Sequence, residues 1–93
     1  MFYLDAVHYE KDRWGNDFIS EVKGTNFLNA TATDRYSKQA IINYINNGNP
    51  VKTKYYRYNG WNVGEDVRVV DNAYLRTDAN NIKADNLGSL PRY

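Results

Sequence analysis

The side chains in this sequence that could perform chemistry are few and widely spaced. His8 is the one histidine of the chain, and there is no cysteine. Protein metal sites ordinarily need several His or Cys ligands, and His8 has no such neighbour in the sequence. None of the serines stands in a nucleophile-elbow motif, and the glycines are scattered instead of forming a phosphate-binding loop. We therefore expect a structural His8, no catalytic residue, no metal or cofactor, and no enzyme activity.

A basic and aromatic stretch in the second half is the strongest candidate for a binding surface. Alternation along residues 51–58 places lysines and tyrosines on one face of a strand, and a tryptophan follows across the next turn. Rings beside cations can stack on single-stranded nucleic acid. The same pattern also stabilises an ordinary exposed hairpin, through cross-strand aromatic pairs and edge lysines. The candidate binding residues, which include two later arginines, are Lys52, Lys54, Tyr56, Tyr58, Trp61, Arg68 and Arg76.

The composition narrows the classes of function. Twelve Lys and Arg oppose eleven Asp and Glu for a net charge of +1, which excludes a strongly basic nucleic-acid-binding tail and an acidic tail. Nine tyrosines and an aromatic content of 15% exceed what a small core can bury, so some rings must be exposed, as at protein interfaces. We expect a non-enzymatic interaction module that binds a protein partner or itself through Tyr55, Tyr56, Tyr58 and Trp61. The alternative is a nucleic-acid-binding accessory domain that uses those rings with Lys52, Lys54, Arg57 and Arg68.

The length and hydropathy of the chain indicate one small domain over residues 1–93. At 93 residues and 10.8 kDa, one core can form, and there is little room for a deep pocket. No apolar run approaches the roughly 20 residues of a membrane-spanning helix. The segment Met1–Asp5 lacks the basic start and long apolar stretch of a secretory signal. We therefore expect a cytoplasmic domain with no membrane partner.

The first third of the chain predicts a hairpin and then a loop. Residues 2–9 and 18–23 are apolar and aromatic, and they flank a turn signal at Gly15-Asn16. Residues 24–36 have no clear period and predict a loop, anchored by Phe27 and Leu28.

A helix is predicted over residues 38–47. Ser37 is a good N-cap, Gly48 supplies a left-handed C-terminal cap, and Pro50 prevents the helix from resuming. The spacing of Ile41, Tyr44 and Ile45 predicts the apolar stripe that faces the sheet.

The second half predicts three strands. The Asn59-Gly60 signal predicts a two-residue turn that would place Tyr58 opposite Trp61 and Tyr56 opposite Val63. Gly64–Asp66 indicates either a bulge or a second turn in the return strand, which resumes at Val67–Val70. A turn at Asp71-Asn72 leads into a short strand over Ala73–Thr77.

The C-terminal stretch over residues 74–91 is expected to be folded. Leu87 and Leu90 are three residues apart, which predicts one helical or 3₁₀ turn pressed onto the core. Arg76 is expected to pair with Asp78 or Asp85, and the Asp85 carboxylate to cap a turn that begins at Asn86.

These elements predict an α+β fold, an antiparallel sheet of four to five short strands with one helix on one face, in the order ββαβββ. Several motifs together also resemble a known family: the run Gly64–Val70, then YLRT at 74–77, DNL at 85–87 and LP at 90–91, with the 37–48 helix and the opening strand. The chain is similar, over nearly its whole length, to the bacterial domain-of-unknown-function family 3892, although the loop 24–36 looks longer here. That family has no established activity, so the resemblance implies an organisation and a bacterial or phage origin, and no site residue.

Overall fold

The computed structural model describes residues 1–79 and 82–93. In chain order the elements are β1 (Phe2–Lys11), β2 (Asp17–Thr25), β3 (Asp34–Ser37), α1 (Lys38–Asn46), β4 (Val51–Arg57), β5 (Gly60–Asp66), β6 (Arg68–Val70) and β7 (Tyr74–Arg76). A five-stranded sheet has the order β3-β2-β1-β4-β5, and β6 and β7 form a two-stranded sheet of their own. The predicted α+β fold class, with one helix in the described residues packed against a mostly antiparallel sheet, is confirmed.

The topology differs from the predicted ββαβββ order in three details. The predicted loop 24–36 contains β3, which pairs antiparallel with β2. The pairing of β1 with β4 is parallel, because α1 carries the chain from one edge of the sheet to the far side of β1 without reversing its direction. The return strand does not resume at Val67. The Val67 N–H donates to the Val51 carbonyl at 2.8 Å, and the chain then leaves the large sheet to form β6.

The helix begins and ends at the residues that the sequence indicates. The Ser37 hydroxyl accepts a hydrogen bond from the Ala40 N–H at 3.1 Å. At the other end, the Gly48 N–H donates to Ile45 at 2.9 Å and the Asn49 N–H donates to Tyr44 at 3.3 Å. These two bonds form a Schellman motif, with Gly48 at φ +90°.

The buried face of α1 differs from the predicted stripe. Ile41 and Ile42 are both buried, whereas Tyr44 is 39% exposed and Ile45 is only partly buried. The helix contacts β2 and β3 on one side and β6 and β7 on the other. Because it lies in the angle between the two sheets, its apolar face is broader than a single stripe and includes Ile42.

A β-bulge in β1 explains why its apolar residues alternate imperfectly. The pairing with β2 advances by two residues from Leu4 to Ala6 but by one from Gly24 to Lys23, so Asp5 is the extra residue. A bulge moves every later side chain to the opposite face. Leu4 before it and Val7 after it are therefore both buried in the core.

The C-terminal stretch is packed onto the fold, as predicted, in its described part; Asn80 and Asn81 lie outside the described residues. Leu87 and Leu90 are buried, but the expected helical turn is absent from residues 82–93. Instead, two isolated parallel β-bridges pair Asn86 with Arg76 and Arg92 with Val7.

The Asp85 carboxylate makes the main hydrogen bonds that hold this stretch on the fold. Its side chain is fully buried, and it accepts hydrogen bonds from the Ile19 N–H at 2.8 Å, the Leu75 N–H at 2.9 Å and the Lys38 ammonium at 2.9 Å. It thus joins β2, β7 and α1. The predicted role of Asp85 as a cap was wrong, because the Gly88 N–H donates to the Asn86 side chain instead, at 2.9 Å.

We expect Asp85→Ala to lower the free energy of unfolding by about 3–5 kcal/mol, since it leaves two backbone N–H groups and an ammonium without their buried acceptor. Urea denaturation measures the loss. The control is Lys83→Ala, which removes the 3.5 Å ion pair between two exposed side chains, Lys83 and Asp71, and should change stability by less than about 1 kcal/mol. Equal losses in the two variants would contradict the role given to Asp85.

The bulge predicted at Gly64–Asp66 is present in β5. Lys52 pairs with Asp66 and Lys54 pairs with Val63, so β5 contains one extra residue. The Glu65 N–H there donates to the Thr53 hydroxyl at 3.0 Å. A Cβ at Gly64 would overlap that hydroxyl and lie 3.2 Å from the Thr53 carbonyl oxygen. The bulge therefore requires glycine at position 64, because a side chain there would collide with Thr53.

We expect Gly64→Ala to destabilise the domain by roughly 1–3 kcal/mol, the usual cost of forcing extra atoms into a packed site. Gly60→Ala in the same strand is the matched control, because no other atom lies within 4 Å of its added Cβ. Thermal or urea unfolding compares the two variants. A Gly64→Ala variant as stable as Gly60→Ala would show that Thr53 can move away.

Candidate functional site

The β4–β5 hairpin that carries most of the candidate binding residues turns one residue earlier than predicted. Tyr58 and Asn59 have φ of 57° and 58°, so they form the two-residue turn, and Arg57 pairs with Gly60. Tyr56 therefore lies opposite Trp61, in place of the predicted Val63. Their rings meet edge to face with centroids 5.5 Å apart. This register also places Trp61 diagonally across from Lys54. The contacts of Trp61 with Tyr56 and Lys54 outweigh the strain of a left-handed backbone at Tyr58, which costs roughly 1–2 kcal/mol.

Four rings form an exposed aromatic surface on and beside this hairpin. Tyr58 is 88% exposed, Tyr56 is 62% exposed, and Trp61 is half-buried between Tyr56 and Lys54. Phe27, which was expected to anchor the 24–36 loop from within, is instead 72% exposed. We call Phe27, Tyr56, Tyr58 and Trp61 the aromatic surface.

Lys54 is a buried cation beneath this surface, and not one of its exposed contacts. Its side chain is 0% exposed. The ammonium donates to the carbonyls of Phe27 at 2.9 Å and Leu28 at 3.2 Å, and also to that of Ala30. It lies 4.1 Å from the centre of the Trp61 ring. One ammonium therefore binds both the backbone of the 26–30 loop and the Trp61 ring, which places the Phe27 backbone close to Trp61.

The carboxylate nearest to Lys54 is that of Asp5, the bulged residue of β1. Their closest atoms are 3.9 Å apart, and the Asp5 carboxylate accepts the Ala32 N–H at 2.8 Å. Burial away from water lowers the pKa of the Lys54 ammonium, and the charge of Asp5 opposes that change. The pair anchors both ends of the loop, which is the role the sequence analysis assigned to Phe27 and Leu28.

The other predicted cations are engaged within the fold. Lys52 pairs with Asp66 at 2.8 Å, which raises the pKa of Lys52. Arg76 is buried and donates two hydrogen bonds to Asp78, at 2.9 and 2.8 Å, so its predicted ion pair is confirmed. Arg68, which lies opposite Arg76 in the small sheet, donates to the Asp78 carbonyl. The structure therefore brings Tyr56, Tyr58 and Trp61 together and places Arg68 and Arg76 in the other sheet.

His8 lies at the seam between β1 and the C-terminal stretch. Its Nδ1 contacts the Tyr93 carbonyl oxygen, and its ring packs on the Tyr93 ring. Burial and a 3.1 Å hydrogen bond to Glu21 raise the pKa of Tyr93 to about 12. Within residues 1–79 and 82–93, no three His, Asp or Glu side chains are close enough to hold a metal ion. In the same part of the chain, no helix is long and apolar enough to cross a membrane.

The surface carries clefts that are larger than we expected for so short a chain. One of 390 Å³ lies between β4 and the C-terminal stretch, lined by Asp5, Tyr55, Tyr56, Arg57, Trp61, Ser89 and Pro91. We call it the β4 cleft. A second, of 550 Å³, lies beside Tyr74 and Asp85. Both volumes reach the range of ordinary ligand sites, roughly 300–1,000 Å³, although both clefts are open to solvent.

Fold and site together define a small α+β domain with a mixed sheet and an exposed aromatic hairpin. The family described as a protein of unknown function (DUF3892) matches residues 6–91, and the chain belongs to that family. No curated protein and no solved structure matches the chain. The family resemblance predicted from the sequence motifs is thus confirmed.

We expect Lys54→Met to lower the free energy of unfolding by about 3–5 kcal/mol, because it leaves the Asp5 carboxylate and the loop carbonyls buried without a cation. Lys52→Met, in the exposed ion pair, should cost much less. The double variant Asp5→Asn/Lys54→Met should recover part of the loss, since the unpaired charge is removed. Urea denaturation of the three variants measures this. If Lys54→Met is as stable as Lys52→Met, then Lys54 does not hold the loop.

Proposed function

We propose that this domain is a non-enzymatic module that binds a protein partner through the aromatic surface. The observation that carries the proposal is the exposure of Phe27, Tyr56 and Tyr58 beside a half-buried Trp61. Tyr and Trp are the residues that dominate binding energy at protein interfaces. An isolated exposed ring needs no explanation, but several that share one surface indicate a contact site.

The rings are also held in place before any partner arrives. Trp61 packs between the Tyr56 ring and the Lys54 ammonium, and the loop that carries Phe27 is hydrogen-bonded to that same ammonium. A surface whose groups are already ordered loses less conformational entropy on binding, so more of the contact energy appears as affinity.

Nucleic-acid binding is the weaker candidate because the cations that it needs are used within the fold. Lys54 is buried under the 26–30 loop, Lys52 pairs with Asp66, and Arg76 pairs with Asp78. Affinity for phosphates depends on cations that can replace counterions along the backbone. Of the basic residues on the hairpin, Arg57 alone has no carboxylate partner among the described residues.

We expect substitutions in the β4–β5 hairpin to abolish binding of a protein partner, and substitutions of exposed residues outside that hairpin to leave the binding unchanged. The tagged chain is incubated with lysate of its source cells, and the proteins it captures are quantified by mass spectrometry. Tyr58→Asn removes the ring while it keeps a residue suited to the left-handed turn, and Tyr56→Thr keeps the strand. Each should reduce capture of one specific protein at least about tenfold, since interface hot spots, which are enriched in Tyr, cost about 2 kcal/mol or more when the ring is removed.

Trp14→Ser is the matched control, because Trp14 is equally exposed but stacks on Arg13 at the tip of the β1–β2 hairpin. It should capture the same protein as the wild type. A parallel titration of labelled single-stranded and duplex oligonucleotides, at two salt concentrations, tests the alternative. Tight binding that weakens steeply with salt, together with no ring-dependent protein capture, would overturn the proposal in favour of nucleic acid.

A further inference from the structure

The β4 cleft exists because β4 separates from β1 partway along its length. The two strands pair only from Phe2–Val51 to Leu4–Thr53. Beyond the bulge at Asp5, β1 takes a different neighbour: the Val7 N–H donates to Pro91 at 2.9 Å, and the Tyr93 N–H donates to Val7 at 3.1 Å. The outer half of β4 therefore has β5 on one side and an open cleft on the other.

The backbone of Tyr56 faces this cleft. Arg57 and Gly60 close the two-residue turn, so they form a hydrogen-bonded pair. Such pairs alternate along an antiparallel ladder with pairs whose N–H and C=O groups point outward. Tyr56 and Trp61 form the next pair, and the Tyr56 backbone groups are thus directed away from β5. Outside the β4–β5 ladder, no residue of 1–79 or 82–93 hydrogen-bonds to these two groups.

The walls of the cleft combine apolar rings with one cation, Arg57, and one carboxylate, that of Asp5, which is buried and lies 3.9 Å from the Lys54 ammonium. Tyr56 and Trp61 line one side and Pro91 the other. The Arg57 guanidinium lies at the rim, exposed, 5.9 Å from the ring centres of both Tyr55 and Tyr58. Because it has no carboxylate partner among the described residues, it can bind one from outside through a charge-assisted hydrogen bond.

We propose that the β4 cleft binds an extended, acidic segment of the protein partner, which adds as a short strand beside β4. This inference rests on the proposed function and names the chemistry of the partner. The segment hydrogen-bonds to the N–H and C=O of Tyr56, places an Asp or Glu on Arg57, and packs an apolar side chain between Trp61 and Pro91. Strand addition takes its affinity from main-chain bonds and its specificity from such pockets.

The probe is a phage-displayed library of random dodecapeptides, selected on the full chain. We expect the enriched peptides to share an acidic residue next to an apolar one. A synthetic peptide from the selection should shift the amide resonances of Tyr55–Arg57 and protect the Tyr56 amide from exchange. N-methylation should abolish binding at the one peptide residue whose N–H donates to the Tyr56 carbonyl, and methylation of either neighbouring residue, whose N–H points away from β4, should not.

Arg57→Ser, and Ser89→Trp, which fills the cleft, should each weaken peptide binding at least tenfold. Arg13→Ser is the control, since Arg13 is also an exposed arginine stacked on a ring, 4.5 Å from Trp14, and it should bind as the wild type does. The inference is overturned if no peptide is enriched, if the enriched peptides bind elsewhere, or if Arg57→Ser and Ser89→Trp bind them normally. Failure of the proposed function is distinguishable. In the lysate-capture experiment, loss of the partner with Tyr58→Asn but not with Ser89→Trp would show that the aromatic surface binds the partner and the cleft does not. If neither variant reduces capture, both proposals fail.

Discussion

The buried contact of Lys54 with Asp5 and the 26–32 loop is the constraint on which the surface of this domain depends. A lysine ammonium away from water needs several acceptors, and this one obtains them from loop carbonyls and a neighbouring carboxylate. The loop backbone is consequently held against β1 and β4, the strands that carry Asp5 and Lys54. The Phe27 backbone is thereby brought close to Trp61, whose ring covers the same ammonium from the hairpin side. A buried ion pair adds little net stability over a packed apolar pair, but it fixes where the loop must lie, and an apolar contact would not fix this as narrowly.

The Asp5 bulge has a second consequence, at the other edge of β1. By reversing which side chains face the core, it lets β1 contribute both Leu4 and Val7 to the core although they are three residues apart. The same irregularity marks where β4 stops pairing with β1 and the C-terminal stretch takes its place. Asp85 and Arg76 then hold that stretch through buried hydrogen bonds to β2, β7 and α1. The β4 cleft is the space between β4, which stops pairing with β1 after Thr53, and the C-terminal stretch, which pairs with β1 at Val7.

Features that depend on nearby residues could be predicted from the sequence, and features that depend on distant ones could not. The Ser37 cap, the Gly48 motif and the Gly64 bulge follow from local backbone chemistry, and each is present. β3 was missed because Asp34–Ser37 has no apolar alternation and is a strand only by pairing with β2. The hairpin turn moved by one residue because Trp61 gains contacts with Tyr56 and Lys54 that the Asn59-Gly60 signal does not encode. The burial of Lys54 had no local signal either, since a lysine that alternates with tyrosines usually faces solvent.

Charged side chains order the loops of this domain, and aromatic side chains remain on its surface; this difference connects the fold to the proposed function. A small core buries too little apolar surface to order long loops alone, so this chain orders them with Lys54, Arg76 and Asp85, each buried and hydrogen-bonded. Cations used in this way are not accessible to phosphates. The rings that a larger core would bury remain outside, on a hairpin whose register is fixed by a cation beneath it. Arg57 differs from the other cations of the hairpin because it lies at the rim of the cleft, while the nearby carboxylates Asp5 and Asp66 pair with Lys54 and Lys52. The register of the β4–β5 hairpin orders the aromatic surface. The same register also directs the Arg57 guanidinium and the backbone N–H and C=O of Tyr56 at the β4 cleft.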